Sequence, residues 1–272
     1  MSVIHPTVVD DAVFGAALAA GTANIIMQLS RPGVGHGVVE SPVDSGKATL
    51  HPIKRARTTF TYLAVALWGT DVERKVYRNA VNGSHAQVRS TDASPVEYNA
   101  FDPDLQLWVA ACLYRGLEAV HRAMFPDSNF RGEHGIYEAS HTLGSTLQVK
   151  ADRWPVDRDA FERYWKEGLE LVSIDDTVRR YLTDLTDMTF LPAPIRLALA
   201  PNHRFNTIGF LPEQFRDEMH FSWSAAQQRR FDHTWRAIGL VNQVLPAPVR
   251  HLPYNVYLAD FRRRVRAGTQ LV

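Results

Sequence analysis

The residues of this chain best suited to chemistry lie between Arg55 and Arg89, in RARTTFTYLAVALWGTDVERKVYRNAVNGSHAQVR. On a helix starting near Pro52, Arg55, Thr58 and Thr59 fall at i, i+3 and i+4, so one cation and two hydroxyls project from one side. Tyr62, Ala66 and Gly69 continue that side, and Ile53, Ala56, Phe60, Leu63 and Leu67 make the other side apolar as well. A helix apolar all round is predicted to be buried, which would place Arg55 in a buried site. The next helix opens on Thr70 and Glu73, a capping box in which each side chain satisfies a free backbone donor of the other residue. Its apolar stripe, Val72, Val76, Tyr77, Ala80, Val81 and Val88, carries His85. A helix gives up about 1 kcal/mol for an internal glycine. Gly83 and Ser84, just before His85, therefore make room either for ordinary packing or for a flat cofactor over the imidazole. Spacing alone does not choose between a hydrogen-bonded core histidine and a ligand.

The order Arg55-x-x-Thr58-Thr59, a turn at Gly69, and His85 near the end of the following helix resembles the latex-clearing-protein family. These MpaB-like haem-b oxygenases include rubber-cleaving enzymes and the mycophenolic-acid-pathway oxygenase. The likeness extends through IMQLSRPGVGHGVVES before the pair, YNAFDPDLQLWVAACL after it and GFLPEQFRDEMHFSWS further on, from about residue 10 to about residue 260. The resemblance implies that His85 is the axial ligand of a haem b, a neutral imidazole bound to iron. It implies that Arg55 and Thr59 lie on the oxygen side, a cation and a hydroxyl donor that would steady O2 in a dry pocket, with Thr58 a further pocket residue. Glu40, in GVVES, matches a carboxylate that rubber-cleaving members hold near the haem. As a base it would take an allylic proton from a hydrophobic, unsaturated substrate, isoprenoid-like or lipid, which requires burial to raise its pKa. An ordinary loop carboxylate is the alternative. The chain also departs from the family: Thr58 stands where rubber-cleaving members carry a lysine, Ala110 replaces a histidine after Trp108-Val109, and the loop from Ser41 to Leu50 is longer. The haem expectation survives these changes, whereas the substrate stays open.

Two rival readings are drawn from the same residues. Glu118 with His121 and Glu138 with His141 are Glu-x-x-His pairs, the spacing by which di-iron carboxylate bundles hold metal. The first pair falls off the apolar stripe Leu105, Trp108, Val109, Leu113, Gly116 and Leu117, which predicts charge pairing on a surface instead. A haem-free helical protein that binds a hydrophobic ligand is the other rival, since apolar helical cavities serve carriers as readily as enzymes. A buried Arg55 speaks against a carrier of neutral lipids, because an unpaired buried charge is costly. None of the 11 histidines forms HExxH, no Cys/His set has zinc spacing, and GVGHG lacks the Lys-Ser/Thr of a phosphate-binding loop.

These groups are expected to sit in an all-α fold. Amphipathic helices are predicted at about 11–29, 52–68, 71–89, 103–124, 132–146, 157–172, 175–187, 223–243 and 254–266, with Asp102-Pro103 a strong start signal. Strand alternation is scarce. At 272 residues and 45% hydrophobic composition, without a linker or repeat, the chain reads as one domain over 1–272, a bundle of about nine or more helices with the haem site between buried ones. The balance of 30 basic against 29 acidic residues excludes a nucleic-acid binder on charge. Arg262, Arg263, Arg264 and Arg266, and the pair Arg229 and Arg230, read as solvated helix faces, with an anionic membrane surface as the alternative. The single cysteine, Cys112, excludes an intrachain disulfide and lies on an apolar stripe. The N-terminal apolar stretch has no basic segment before it and carries Asn24 and Gln28, too polar to span a bilayer. The expectation is therefore a cytoplasmic protein without stable membrane insertion.

Overall fold

The computed structural model describes residues 13–43, 49–127 and 134–272, and is helical throughout, with one isolated bridge, Arg89 to Asn99, as its only β pairing among those residues. A 3-10 turn, Gly15–Ala20, leads into α1 (Gly21–Leu29), α2 (Pro32–Val39), α3 (Pro52–Trp68), α4 (Asp71–His85) and α5 (Pro103–Met124). The short α6 (His134–Ala139) and α7 (His141–Ser145) follow, then α8 (Arg158–Leu169), α9 (Asp176–Thr186), α10 (Ala193–Phe210), α11 (Glu213–Glu218), α12 (Ala225–Val244), α13 (Ala247–Arg250) and α14 (Tyr254–Arg266).

The starts follow the predicted chemistry. Thr70 Oγ1 accepts from the Glu73 backbone at 3.2 Å while Glu73 accepts from the Thr70 backbone at 2.8 Å, the reciprocal capping box. Asp102 caps α5 by accepting from the Asp104 and Leu105 amides, with Pro103 in the first turn. Helices α2 and α10 are absent from the sequence expectation. PGVGHGVV carries three glycines at alternate positions and α10 contains Pro201, so both score poorly on intrinsic propensity. Tertiary contact rescues them: Gly35 brings α2 so close that a Cβ there would meet Leu29 O at 2.6 Å and Val178 at 3.0 Å.

Helix α5 is the axis of the core, with α1, α7 and α12 packed around it and α14 laid along α3. Trp108 is fully buried, stacks on Trp165 at 5.0 Å and donates from Nε1 to Met27 O at 3.1 Å. The stripe reading underestimated this burial. Glu118 and His121 are buried, not on a surface, because α5 is covered on more than one face. Glu118 lies inside a cluster of guanidinium groups, with Arg115 at 2.7 Å, Arg122 at 3.0 Å and Arg158. Such burial is tolerable only because the charge is paired several times over. Cys112 is a buried core residue as expected, and burial pushes its thiol up.

Helix α3 needs a correction of the opposite sign. It was expected to be buried all round, yet Ile53 is 85% exposed and the buried residues begin only at Thr61. Its second half packs against α4, α7 and α14, while its first turns stand beyond the core. Past α14, Gly268 takes φ +63°, a left-handed geometry that glycine adopts without steric cost. The chain turns back there, and Arg264 Nη1 donates to Leu271 O at 3.1 Å.

Candidate functional site

Arg55, Thr58, Thr59 and His85 line one cavity of about 290 Å³. Helix α3 contributes Lys54, Arg55, Thr58, Thr59 and Tyr62, and α4 contributes Tyr77, Val81, Ser84 and His85. Aliphatic side chains of α1, α2 and α5, among them Ile25, Leu29, Val34, Leu105 and Val109, close the wall together with Leu185 and Val272. The basic groups of the lining therefore come from α3 and α4, set in a mostly apolar shell that also holds Gln28, Tyr98, Asn99 and Gln106, the usual composition of a small-molecule site.

His85 is the last residue of α4, and its carbonyl accepts from the Val88 amide at 3.0 Å. Its ring meets Phe101 edge-on at 6.3 Å and makes no hydrogen bond among the described residues. Burial, with the positive charge of Arg55 adding to it, pulls His85 down from 6.5 to about 4. The imidazole is thus neutral near pH 7 and keeps a free lone pair, the state in which histidine binds a metal. Gly83 does not serve the expected role of making room for a flat group. It is exposed and does not line the cavity, and a Cβ there would meet nothing within 4 Å. Ser84 is the small residue that lines the wall.

Arg55 is exposed where a buried position was expected, because the first turns of α3 lie outside the core. It lines the cavity all the same, and its guanidinium has no hydrogen bond or ion pair among the described residues. Solvent access is what makes an unpaired cation tolerable at that position. Thr59 likewise leaves its hydroxyl without a partner, whereas Thr58 donates back to Lys54 O at 3.0 Å and its own carbonyl accepts from Tyr77 at 2.7 Å. Tyr62 donates to Leu143 O, so this phenol is committed to structure, and burial pushes it far above its ordinary value.

Glu40 lies just past the end of α2 and is not among the lining residues. It accepts from Ser94 at 2.6 Å and from Tyr98 at 2.9 Å, and lies 2.7 Å from His36 Nδ1. The other ring nitrogen of His36 lies 2.7 Å from Asp175, the N-cap of α9. These contacts hold the Glu40 carboxyl below its ordinary value, overcoming a partial burial that acts the other way. Tyr98, itself buried, does line the cavity, so Glu40 reaches the site through a phenol. Tyr98 was missed because it lies in the irregular segment before α5, where periodicity carries no signal. The i,i+4 spacing of His36 and Glu40 was legible only if GVGHG was read as helix.

The two Glu-x-x-His pairs do not converge. Glu138 and His141 are exposed, with His141 bonded to the Glu138 carbonyl, while Glu118 is taken up by arginines. Among the described residues no three His, Cys, Asp or Glu side chains are grouped to hold a metal ion.

Comparison with known proteins adds the following. The family model described as "ER-bound oxygenase mpaB/B'/Rubber oxygenase, catalytic domain" matches residues 11–240. The uncharacterized proteins Rv2237 of Mycobacterium tuberculosis and Mb2261 of Mycobacterium bovis are each 48% identical over 250 residues, covering 92% of this chain and 98% of theirs. No solved structure matches the chain.

Proposed function

We infer the function from one premise: the chain belongs to the mpaB/rubber oxygenase catalytic-domain family. Within it we propose a haem-b-dependent oxygenase that acts on a hydrophobic, unsaturated substrate, isoprenoid-like or lipid, with His85 as the residue that would hold the haem iron. The observation that carries this reading is an imidazole held neutral by burial, without a hydrogen-bond partner among the described residues, on the wall of an apolar cavity it shares with an unpaired guanidinium. Those features fit the group: a neutral nitrogen for iron, aliphatic walls for a flat apolar macrocycle, and a cation and hydroxyl left for polar ligands.

Bound haem would supply the iron centre at which O2 is reduced and activated. The protein's own residues do the rest. His85 offers its lone pair from the end of α4, with Phe101 edge-on to its ring. Thr59, and Arg55 from its solvent-accessible position, present O–H and N–H donors to negative charge developing in the cavity. Tyr77, tied to the Thr58 carbonyl, holds α4 against the turn of α3 that carries both donors. Glu40, fixed by three partners and acidic, suits anchoring Tyr98 better than taking protons near neutral pH.

The test is the visible spectrum of the purified protein supplied with haem, before and after dithionite and carbon monoxide. A Soret band that disappears in His85→Ala, with helical circular dichroism unchanged, is the expected result. Stoichiometric haem in His85→Ala would overturn the axial assignment. A colourless protein that retains lipids would replace the oxygenase with a binding protein.

A further inference from the structure

Two stretches of the chain are free of acidic residues, 188–212 and 233–259, and the helices they carry, α10 and α12, touch. Helix α12 runs antiparallel to α10: Trp235 Nε1 donates to Asn206 at 3.0 Å, and Gly209 is so close to Phe231 that a Cβ would meet its ring at 2.2 Å. The two helices meet there, at the C-terminal end of α10 and the first half of α12, while the start of α10 and the end of α12 stay largely exposed.

Both of these exposed ends turn apolar side chains to solvent. Leu197 on α10 is 73% exposed and Val244 on α12 is 69% exposed, with Ile195, Leu199, Leu240 and Val241 also exposed around them. Single exposed leucines are ordinary, but six exposed apolar side chains on two touching helices mark an interaction surface. Its only charges are cationic. Arg196 and Arg236 make no ion pair among the described residues, and Arg250 lies at the end of the following helix with Nε buried and without a hydrogen-bond partner.

We propose that this α10–α12 face is a peripheral docking surface for an anionic lipid bilayer. Charge decides between the possible occupants. A second copy docked by a two-fold axis would present Arg196 and Arg236 with the same patch, which has no carboxylate to compensate them. An anionic bilayer satisfies both features, because leucine and valine enter the acyl boundary while arginine side chains reach the headgroup phosphates. Among the described residues no helix is long and apolar enough to cross a membrane, so the association is with the surface. The inference is independent of haem.

Co-sedimentation with vesicles of phosphatidylcholine, with and without about 30 mol% phosphatidylglycerol, tests it. The protein should pellet with the anionic vesicles and be released by salt. The double variant Leu197→Glu/Val244→Glu, altered only at exposed sites, should lose at least tenfold in partition with unchanged circular dichroism, and Arg236→Gln roughly fivefold. Protein that stays in the supernatant, or an acidic variant that binds equally well, would overturn the proposal. So would a dimer in sedimentation velocity that Val244→Glu dissociates in the absence of vesicle binding, which would identify a second copy as the occupant.

Discussion

Arg55 and Glu40 show how a residue's role depends on the partners it lacks or has. Both are charged and close to the site, yet Arg55 keeps its donors free while Glu40 has its acceptors filled. The spacing of Arg55 with Thr58 and Thr59 was legible because helical periodicity fixes a shared side, and the cavity brings them together with His85. What spacing could not give was the state of each group, since burial and hydrogen bonding depend on distant segments such as that carrying Ser94 and Tyr98. A pH prediction follows from the Glu40 latch. The folded pKa of Glu40 is below its ordinary 4.5 and that of Asp175 below 3.8, so their contribution to stability is present above those values and is lost as pH falls through the lower folded ones. Glu40→Gln should therefore lower the melting temperature at pH 7 by more than at pH 3, the two curves converging in acid. A difference independent of pH would remove the ionised latch.

At the scale of elements, α5 illustrates close approach. Asn24 on α1 donates to Cys112 O at 2.6 Å across the core, and it can do so because Gly116 has no side chain: a Cβ there would meet Asn24 Nδ2 at 2.2 Å. Gly116→Ala gains about 1 kcal/mol of helix propensity. Against this it displaces a buried amide and strands its polar atoms, a loss of about 2–3 kcal/mol. The net expectation is destabilisation by about 1–2 kcal/mol, measured by denaturant unfolding, and a variant as stable as the parent would show that Asn24 finds another partner. The starts of α4 and α5 were legible because capping is local chemistry within four residues. Helices α2 and α10 were not, since glycine and proline conceal them and only packing against α1 and α9 makes them helical.

At the scale of the whole molecule, one contiguous apolar core runs from Val13 to Phe261, with the cavity at its edge where α3 leaves the core. The all-α class and the site region were readable because apolar periodicity persists along the chain. The apolar α10–α12 face was not, because sequence shows which residues are apolar but not which neighbours leave them uncovered.

The segment 268–272 closes one side of that cavity. Val272 forms part of its wall, yet the segment that delivers it is held by the left-handed turn at Gly268, a bond from the Thr269 amide to Arg264 O at 3.1 Å and the Arg264 contact with Leu271. Beyond those bonds only the packing of Leu271 and Val272 on the core holds the segment, and such local units open more often than the core does. Gly268→Val, strained at that φ, should accelerate entry of an apolar fluorescent dye in stopped flow while leaving the melting temperature within about 2 °C. An unchanged rate would mean that ligands enter elsewhere. With Val272 delivered by a segment that follows the last helix, the rate of ligand exchange and the stability of the core become separate properties of the molecule.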